Sequence, residues 1–397
     1  MNIIGKKKRI AVIGKGTAGS ISATYFNRYN PNNMEVIWYY DPSKLPQSVG
    51  EGSTLPLLRT LENGLDFTYD DLKKIDGSIK KGIKKINWGG SGNFLHHFPL
   101  YLHSFHFNAN KLQDYVFNKL KNQVSIKEQP INSHSDIDSD YILDCSGSPT
   151  NFSSHNLSKS VTVNAAHITQ CYWEGPRFDY TLTIARPYGW VFGIPLQNRC
   201  SIGYLYNKDI NTLEEVKEDV KNIFKDFNLN PSENTSSLSF NNYYKKQNFT
   251  DRVAYNGNAS FFLEPMEATS IGLIDSINFE FFKVINEKKS VFKANQFYLQ
   301  ELKDIQRMIS LHYLSGSKFT TKFWDFSYKK SKKYIKESID DKFLKMYKLS
   351  KEYNSLNRLV SLEKIEPKEI AQWALFSYNQ NFKELDIYNK LDKLLEI

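Results

Sequence analysis

Lys8-Arg9-Ile10-Ala11-Val12-Ile13, running directly into Gly14-Lys15-Gly16-Thr17-Ala18-Gly19, decides the fold. The first six residues are a short β-branched run that predicts a strand. Ser20 to Tyr29 predicts a helix. The Gly-x-Gly-x-x-Gly between them is the dinucleotide fingerprint. Gly14 makes the tight turn, Gly16 lets the backbone approach a pyrophosphate, and Gly19 lets the helix pack on the sheet. The helix N-terminus, with Thr17 and Ala18, then faces the phosphates. A second strand, Glu35 to Tyr40, ends at Asp41-Pro42. Asp41 lies 22 residues beyond Gly19, where an acid can take ribose hydroxyls. Alone, this pattern leaves FAD and NAD undecided.

Composition narrows the class around that turn. At about 150 residues per domain, the 397 residues allow two or three domains. The 40% apolar and 14% aromatic content excludes a disordered or fibrous chain. No run approaches the ~18 apolar residues of a membrane span. After Met1-Asn2-Ile3-Ile4-Gly5-Lys6-Lys7-Lys8-Arg9, only Ile10 to Ile13 is apolar before the glycines, too short for the h-region of about 7–15 residues that a secretory signal needs. Cys145, Cys171 and Cys200 are odd in number and lack paired spacing, so reduced thiols in a cytoplasmic compartment are expected. The net charge of +9 owes much to Lys6–Arg9 and to Lys329, Lys330, Lys332, Lys333 and Lys336. No nucleic-acid reading module accompanies it, so it reads as a solvated surface, with no nucleic-acid or membrane partner. His96, His97, His103 and His106 lack an acid or cysteine to complete a metal set.

The rest of the chain fits an α/β fold with interleaved parts. Asn108 to Lys121 has helical spacing, and Tyr141-Ile142-Leu143 is a strand stopped by Asp144-Cys145-Ser146-Gly147. Tyr180–Ala185, Gly189–Ile194 and Arg199–Tyr206 are strands with turn residues between them, which predicts an antiparallel sheet. Thr212-Leu213-Glu214-Glu215 is a capping box opening a helix with Val216, Val220, Ile223 and Phe227 on one face. Beyond residue 282 the pattern is helical, with Leu299, Leu302, Ile305 and Ile309 on a stripe. The expected division is an FAD-binding module over 1–285, interleaved with a substrate-covering sheet at about 80–107 and 165–250, and a helical region over 286–397.

Several segments carry a resemblance. They are Ser48-Val49-Gly50-Glu51-Gly52-Ser53-Thr54, Asp144-Cys145-Ser146-Gly147 and Gly189-Trp190-Val191-Phe192-Gly193-Ile194-Pro195. Further along stand Gly257-Asn258-Ala259, Glu264-Pro265-Met266-Glu267-Ala268-Thr269, His312-Tyr313 and Thr321-Lys322-Phe323-Trp324. In this order they resemble the motifs of flavin-dependent tryptophan halogenases, over most of the chain. The family's Gly-Trp-x-Trp-x-Ile-Pro has Phe192 in place of its second tryptophan. Its Gly-Asp pair is Gly257-Asn258, and the Ser-Thr-Gly after its glutamate is Ala268-Thr269-Ser270.

The resemblance implies a Rossmann-like fold of the glutathione-reductase type and a two-component enzyme. Reduced FAD, from a separate reductase, would use O2 to oxidise halide to hypohalous acid. A lysine would pass the halogen to an electron-rich aromatic substrate. By the same resemblance Lys80, in Ile79-Lys80-Lys81-Gly82-Ile83, is the lysine, with Lys81 its neighbour, and Glu267 is the catalytic carboxylate. Gly50, Glu51, Gly147, Gly257 and Asn258 join Gly14, Gly16, Thr17, Ala18, Gly19 and Asp41 around the flavin. Thr269 and Ser270 hold the halide. His97 and Phe98 face the substrate, while Trp190, Phe192 and Ile194 shape the flavin site. No metal is expected, and a homo-oligomer is. Phe192 keeps a rival open, a single-component flavin monooxygenase; a non-catalytic flavin- or nucleic-acid-binding protein is a further one.

Overall fold

The computed structural model describes residues 7–30, 33–44, 52–98, 102–352 and 380–395. The chain forms two compact units, each assembled from separate stretches. The first takes residues up to Ser78, then Phe105–Ser158 and Asn241–Leu302. The second takes Ile79–Ser104, Lys159–Phe240 and residues from Lys303 onward.

The first unit is built on a five-stranded parallel sheet. Its order is Val253–Tyr255, Tyr141–Asp144, β1 (Arg9–Ile13), β2 (Glu35–Tyr40) and Ser125–Glu128. Central parallel strands are covered on both faces, which is why Arg9–Ile13 reads as a continuous apolar run. Ile10, Ala11 and Val12 are fully buried. Ala11, Ile13, Ile37, Tyr39 and Ile142 pack together with Ile137. Helix α1 (Thr17–Arg28) follows β1, starting three residues earlier than its apolar spacing suggests. The helix Ala109–Leu120 is capped by Asn108, whose side chain accepts from Lys111 N. A long helix, Thr269–Asn286, completes this unit's framework, with Phe281 against Phe26.

The second unit is built on a seven-stranded sheet. Its order is Leu229–Ser239, Ala165–Trp173, Cys200–Tyr206, Gly189–Pro195, Thr181–Arg186, Gly82–Trp88 and Gly92–His97. The three middle strands predicted from turn residues are present and antiparallel. The sheet as a whole is mixed, because Thr181–Arg186 pairs parallel with Gly82–Trp88. That pair joins segments far apart in sequence, so no local turn signal announces it. The capping box at Thr212 forms as read, with reciprocal bonds to Glu215. Val216, Val220 and Ile223 of its helix pack into the sheet's core.

Among the described residues no helix is long and apolar enough to cross a membrane. The helical stripe near 300 differs from its reading. Leu299 is exposed, and Tyr298 takes the buried position one residue earlier.

Candidate active site

The glycine turn is held by close backbone approaches. Gly14 has φ +102°, and a Cβ there would overlap the carbonyl oxygen of Cys145. A Cβ on Gly19 would overlap the carbonyl oxygen of Gly14. Gly16 differs: its backbone is extended, it caps α1, and a Cβ would meet nothing within 4 Å. Open space at the middle glycine, beside two that are closed, is the shape of a backbone kept clear for a ligand. α1 begins with no side-chain cap and no acid in its first turn, so its N–H groups and dipole face that space. Gly147, at φ +102° after the strand Tyr141–Asp144, also borders open space. Asp41 follows the end of β2. One carboxylate oxygen accepts from Ser43 N at 2.9 Å and Ser43 Oγ at 2.7 Å. Those bonds, the hydroxyl's first, hold its carboxyl below the ordinary aspartate range.

The second glycine turn packs directly on the first. Gly257 has φ +56°, and a Cβ on it would stand 2.5 Å from the Cβ of Ala18. Asn256, fully buried, fixes this turn. Its amide donates to Ile274 O at 3.1 Å and Asn278 Oδ1 at 2.9 Å, and its own Oδ1 accepts from Gly257 N at 2.8 Å. Ser22 of α1 donates to the same Asn278 oxygen at 2.8 Å. The next residue, Asn258, is half-buried, and its carbonyl accepts from Tyr243 OH at 2.7 Å. Glu264 is fully buried, whereas Glu267 is half-buried. Glu267 and Ala268 both adopt left-handed backbone, at φ +59° and +57°. Two such residues in succession turn the chain into the helix Thr269–Asn286, which also starts without a side-chain cap. Thr269 and Ser270 are its first two residues, and Thr269 Oγ1 donates to Met266 O at 3.2 Å.

In the second unit the lysines sort by direction. Lys80 is 2% exposed, with Nζ 5.6 Å from the centre of the Phe98 ring. Its neighbour Lys81 is exposed and forms an ion pair with Asp179. Lys85 is fully buried against His312 Nε2, while His312 Nδ1 donates to Met308 O at 2.8 Å. His97 is half-buried, and burial, then His96, lowers its pKa. Phe94, Lys85, Thr183, Phe192 and Gly203 are register partners in sequence across the sheet, so they share one face. The Phe192 ring occupies the place a Cβ on Gly203 would take.

Three of the resembling segments meet around Trp88 beside that row. Trp88 is fully buried, with ring centres 6.4 Å from Trp190, 5.9 Å from His312 and Tyr313, and 5.3 Å from Trp324. Trp190 lies 6.4 Å from Phe192, and Ile194 is buried further along the same strand. Thr321 Oγ1 donates to Pro187 O at 2.7 Å and Trp324 Nε1 to Arg186 O at 2.8 Å. The Thr-x-Phe-Trp element thereby anchors the turn that precedes Gly189–Pro195.

The sequence profile of tryptophan halogenases matches residues 9–129 and 111–377. The chain belongs to the tryptophan halogenase family. It is accordingly an enzyme of the FADH2-dependent halogenase class. It is 21% identical over 423 residues to tryptophan 7-halogenase RebH of Lentzea aerocolonigenes, covering 81% of this chain and 78% of the relative. Its fold matches the crystal structure of a tryptophan halogenase from Shewanella frigidimarina, with TM-score 0.71, 18% identity and 98% of each chain covered. It also matches Xcc4156, a flavin-dependent halogenase from Xanthomonas campestris, with TM-score 0.74, 17% identity and coverage of 98% and 94%.

The residues of this halogenase fit a dinucleotide flavin. The closed glycines, the open Gly16, the uncapped α1 and the Gly257 turn against Ala18 form a cradle of backbone donors. Gly50 and Glu51 lie outside the described residues. Sequence reading missed Asn256, Asn278 and Ser22, whose contacts span up to 256 positions. It also missed Gln113, whose amide reaches Thr17 in the turn. An Asn directly before the Gly257 turn was the one local signal. Lys85 was hidden inside a run of lysines.

Proposed function

We propose that this halogenase is the halide-using half of a two-component system. A separate flavin reductase supplies FADH2, halide becomes hypohalous acid, and the halogen is placed on an electron-rich aromatic ring such as an indole or a phenol. The observation that carries this reading is the packing of the Gly257 turn on the dinucleotide turn, because it ties the fingerprint to the segment bearing Glu267. When bound, reduced FAD supplies with O2 the oxidising equivalent that converts halide to hypohalous acid.

The chain's own residues do the rest. Gly14, Gly16, Thr17, Ala18 and Gly19 hold the pyrophosphate, Asp41 takes ribose hydroxyls, and Asn258 takes a ribityl hydroxyl as donor and acceptor. Gly50, Glu51 and Gly147 complete the flavin's surroundings, which Trp190, Phe192 and Ile194 shape. The N–H groups at Thr269 and Ser270, at the positive end of an 18-residue helix, hold the halide. Lys80 Nζ holds hypohalous acid by hydrogen bonding, or takes its halogen: the O–X bond breaks, an N–X bond forms and water leaves. The aromatic ring then attacks the halogen beside His97 and Phe98. The Glu267 carboxylate stabilises the ring cation and accepts its proton. Burial of Lys80, against the exposure of Lys81, supports Lys80 as the working amine.

The test is turnover of an aromatic panel with FADH2, O2 and each halide in turn, read by mass spectrometry. The expected result is a ring-halogenated product that requires halide and reduced FAD. Direct reduction of bound flavin by NAD(P)H, with halide-independent oxygenation, would replace this reading with a monooxygenase.

A further inference from the structure

The glycine turn carries two polar side chains, Lys15 and Thr17, and one helix holds both. From Ala109–Leu120, Gln113 donates through Nε2 to Thr17 Oγ1 at 3.0 Å. Gln113 is 2% exposed, so this amide is fixed in the interior. One turn later Phe117 lies 4.0 Å beneath Lys15 Nζ, and Asp114 Oδ1 is 3.8 Å from the same ammonium. The Tyr40 ring, last residue of β2, lies 5.3 Å from it.

A threonine hydroxyl has one proton to donate and two lone pairs to accept with. In a helix it commonly donates to the carbonyl three or four residues back. For Thr17 those carbonyls are Gly14 O, which already accepts from Trp38 Nε1 at 2.7 Å, and Ile13 O, which already accepts from Cys145 N at 2.9 Å. The Gln113 amide occupies one of the oxygen's lone pairs. The hydroxyl proton is then directed outward, at the first residue of α1, beside its N-terminal N–H groups.

We propose that Gln113 is a positioning residue for the cofactor: by donating to Thr17 it commits that hydroxyl to donate to the pyrophosphate. The proposal rests on the reading of this turn as the FAD site. It predicts a sign as well as a size. A carboxylate can only accept, so Gln113→Glu would draw the Thr17 proton inward and present lone pairs to the phosphate. Gln113→Met would release the hydroxyl without reversing it.

The experiment measures binding of FAD and of ADP, which shares the pyrophosphate and adenosine but has no flavin. Titrations use wild type, Gln113→Glu, Gln113→Met and each combined with Thr17→Val, with thermal unfolding of every preparation. Gln113→Glu is expected to weaken both ligands by at least roughly 30-fold and Gln113→Met by roughly 3- to 10-fold, following the ordinary worth of hydrogen bonds to charged groups. In the Thr17→Val background neither change should cost more than about 2-fold, since the hydroxyl it acts through is gone. Unaltered affinities in Gln113→Glu, a loss for FAD but not ADP, or losses that persist in the Thr17→Val background would overturn the proposal alone. If Gln113→Glu does not fold, the cycle of Gln113→Met with Thr17→Val decides the proposal by the same criteria. Absence of both FAD and ADP binding by wild type would overturn the reading of the turn, and the proposal with it.

Discussion

The glycine turn and the Phe192–Gly203 contact manage close approach with different materials. In the first, the glycines of the turn face backbone: Gly14 faces the Cys145 carbonyl, and Gly19 faces that of Gly14. In the second, the atoms nearest a Cβ on Gly203 are those of the Phe192 ring. A carbonyl at the end of a buried parallel strand cannot withdraw, whereas a ring can be exchanged for something smaller. The turn therefore fixes its residues singly, and the sheet contact fixes them as partners.

That contrast breaks most visibly at the turn. Gly19→Ala should cost on the order of 3–5 kcal/mol and remove FAD binding, because the methyl meets a carbonyl with nowhere to go. Gly16→Val, where a Cβ meets open space, should keep its unfolding temperature and lose FAD affinity by at least roughly 100-fold. Thermal unfolding and FAD titration on both variants check the pair. Retained FAD affinity in Gly16→Val would remove the turn from the cofactor site.

A second test asks whether the first unit also contributes after the oxidant is made. Glu267→Gln keeps size and hydrogen bonding but removes the charge. Ring halogenation should fall roughly 30- to 1000-fold, for a loss of about 2–4 kcal/mol of transition-state stabilisation. FAD affinity should barely change. Near-normal halogenation would make Glu267 structural.

The Phe192–Gly203 side of the contrast predicts rescue. Gly203→Ala should destabilise by about 1–3 kcal/mol, and Phe192→Leu in the same chain should recover most of it. Denaturant unfolding of the singles and the double gives the coupling. Strict additivity would mean that the ring is held as rigidly as a carbonyl.

How much of this was legible follows from the same contrast. The turn could be read because backbone sterics at Gly14 and Gly19, with an open Gly16 between them, impose fixed local spacing. The Ser22–Asn256–Asn278 network could not, since its members come from three distant segments. The aromatic segments were legible one by one, yet only the sheet brings Trp88, Trp190, Tyr313 and Trp324 together. Lys80, Lys81, Lys84 and Lys85 read by composition as a solvated face. The fold buries the first and last because the chain turns into the strand Gly82–Trp88 between them. The expected mate of the ribose, Asp41, could be placed by spacing, but not its bonds to Ser43.

The smallest effect concerns two carboxyls, one in each unit, whose shifts differ in sign. Burial pushes Asp275 in the first unit up to about 7, outweighing the hydrogen bond from Thr60, which lowers it. Below the ordinary aspartate value it is protonated folded and unfolded alike. As pH rises from about 4 to about 7 the unfolded chain releases this proton first, so stability is lost across that window. Burial also raises Asp340 in the second unit, but bonds from Arg307 and Lys303 outweigh it and hold its carboxyl well below the ordinary range. Its contribution is present above about pH 4 and is lost as pH falls further. Asp275→Asn should match wild type at pH 4 and melt higher at pH 8, by roughly 5 °C. A wild-type advantage at pH 8 would contradict the assignment.

The most direct test of the division of labour uses Lys80→Ala and wild type with FADH2, O2 and halide, trapping free hypohalous acid with monochlorodimedone while ring-halogenated product is measured in the same preparations. If the flavin and halide residues serve oxidant formation and Lys80 serves transfer, Lys80→Ala keeps its oxidant output and loses ring product by at least roughly 100-fold, while Lys81→Ala loses neither. Undiminished ring product in Lys80→Ala, or collapse of oxidant and product together, would contradict it.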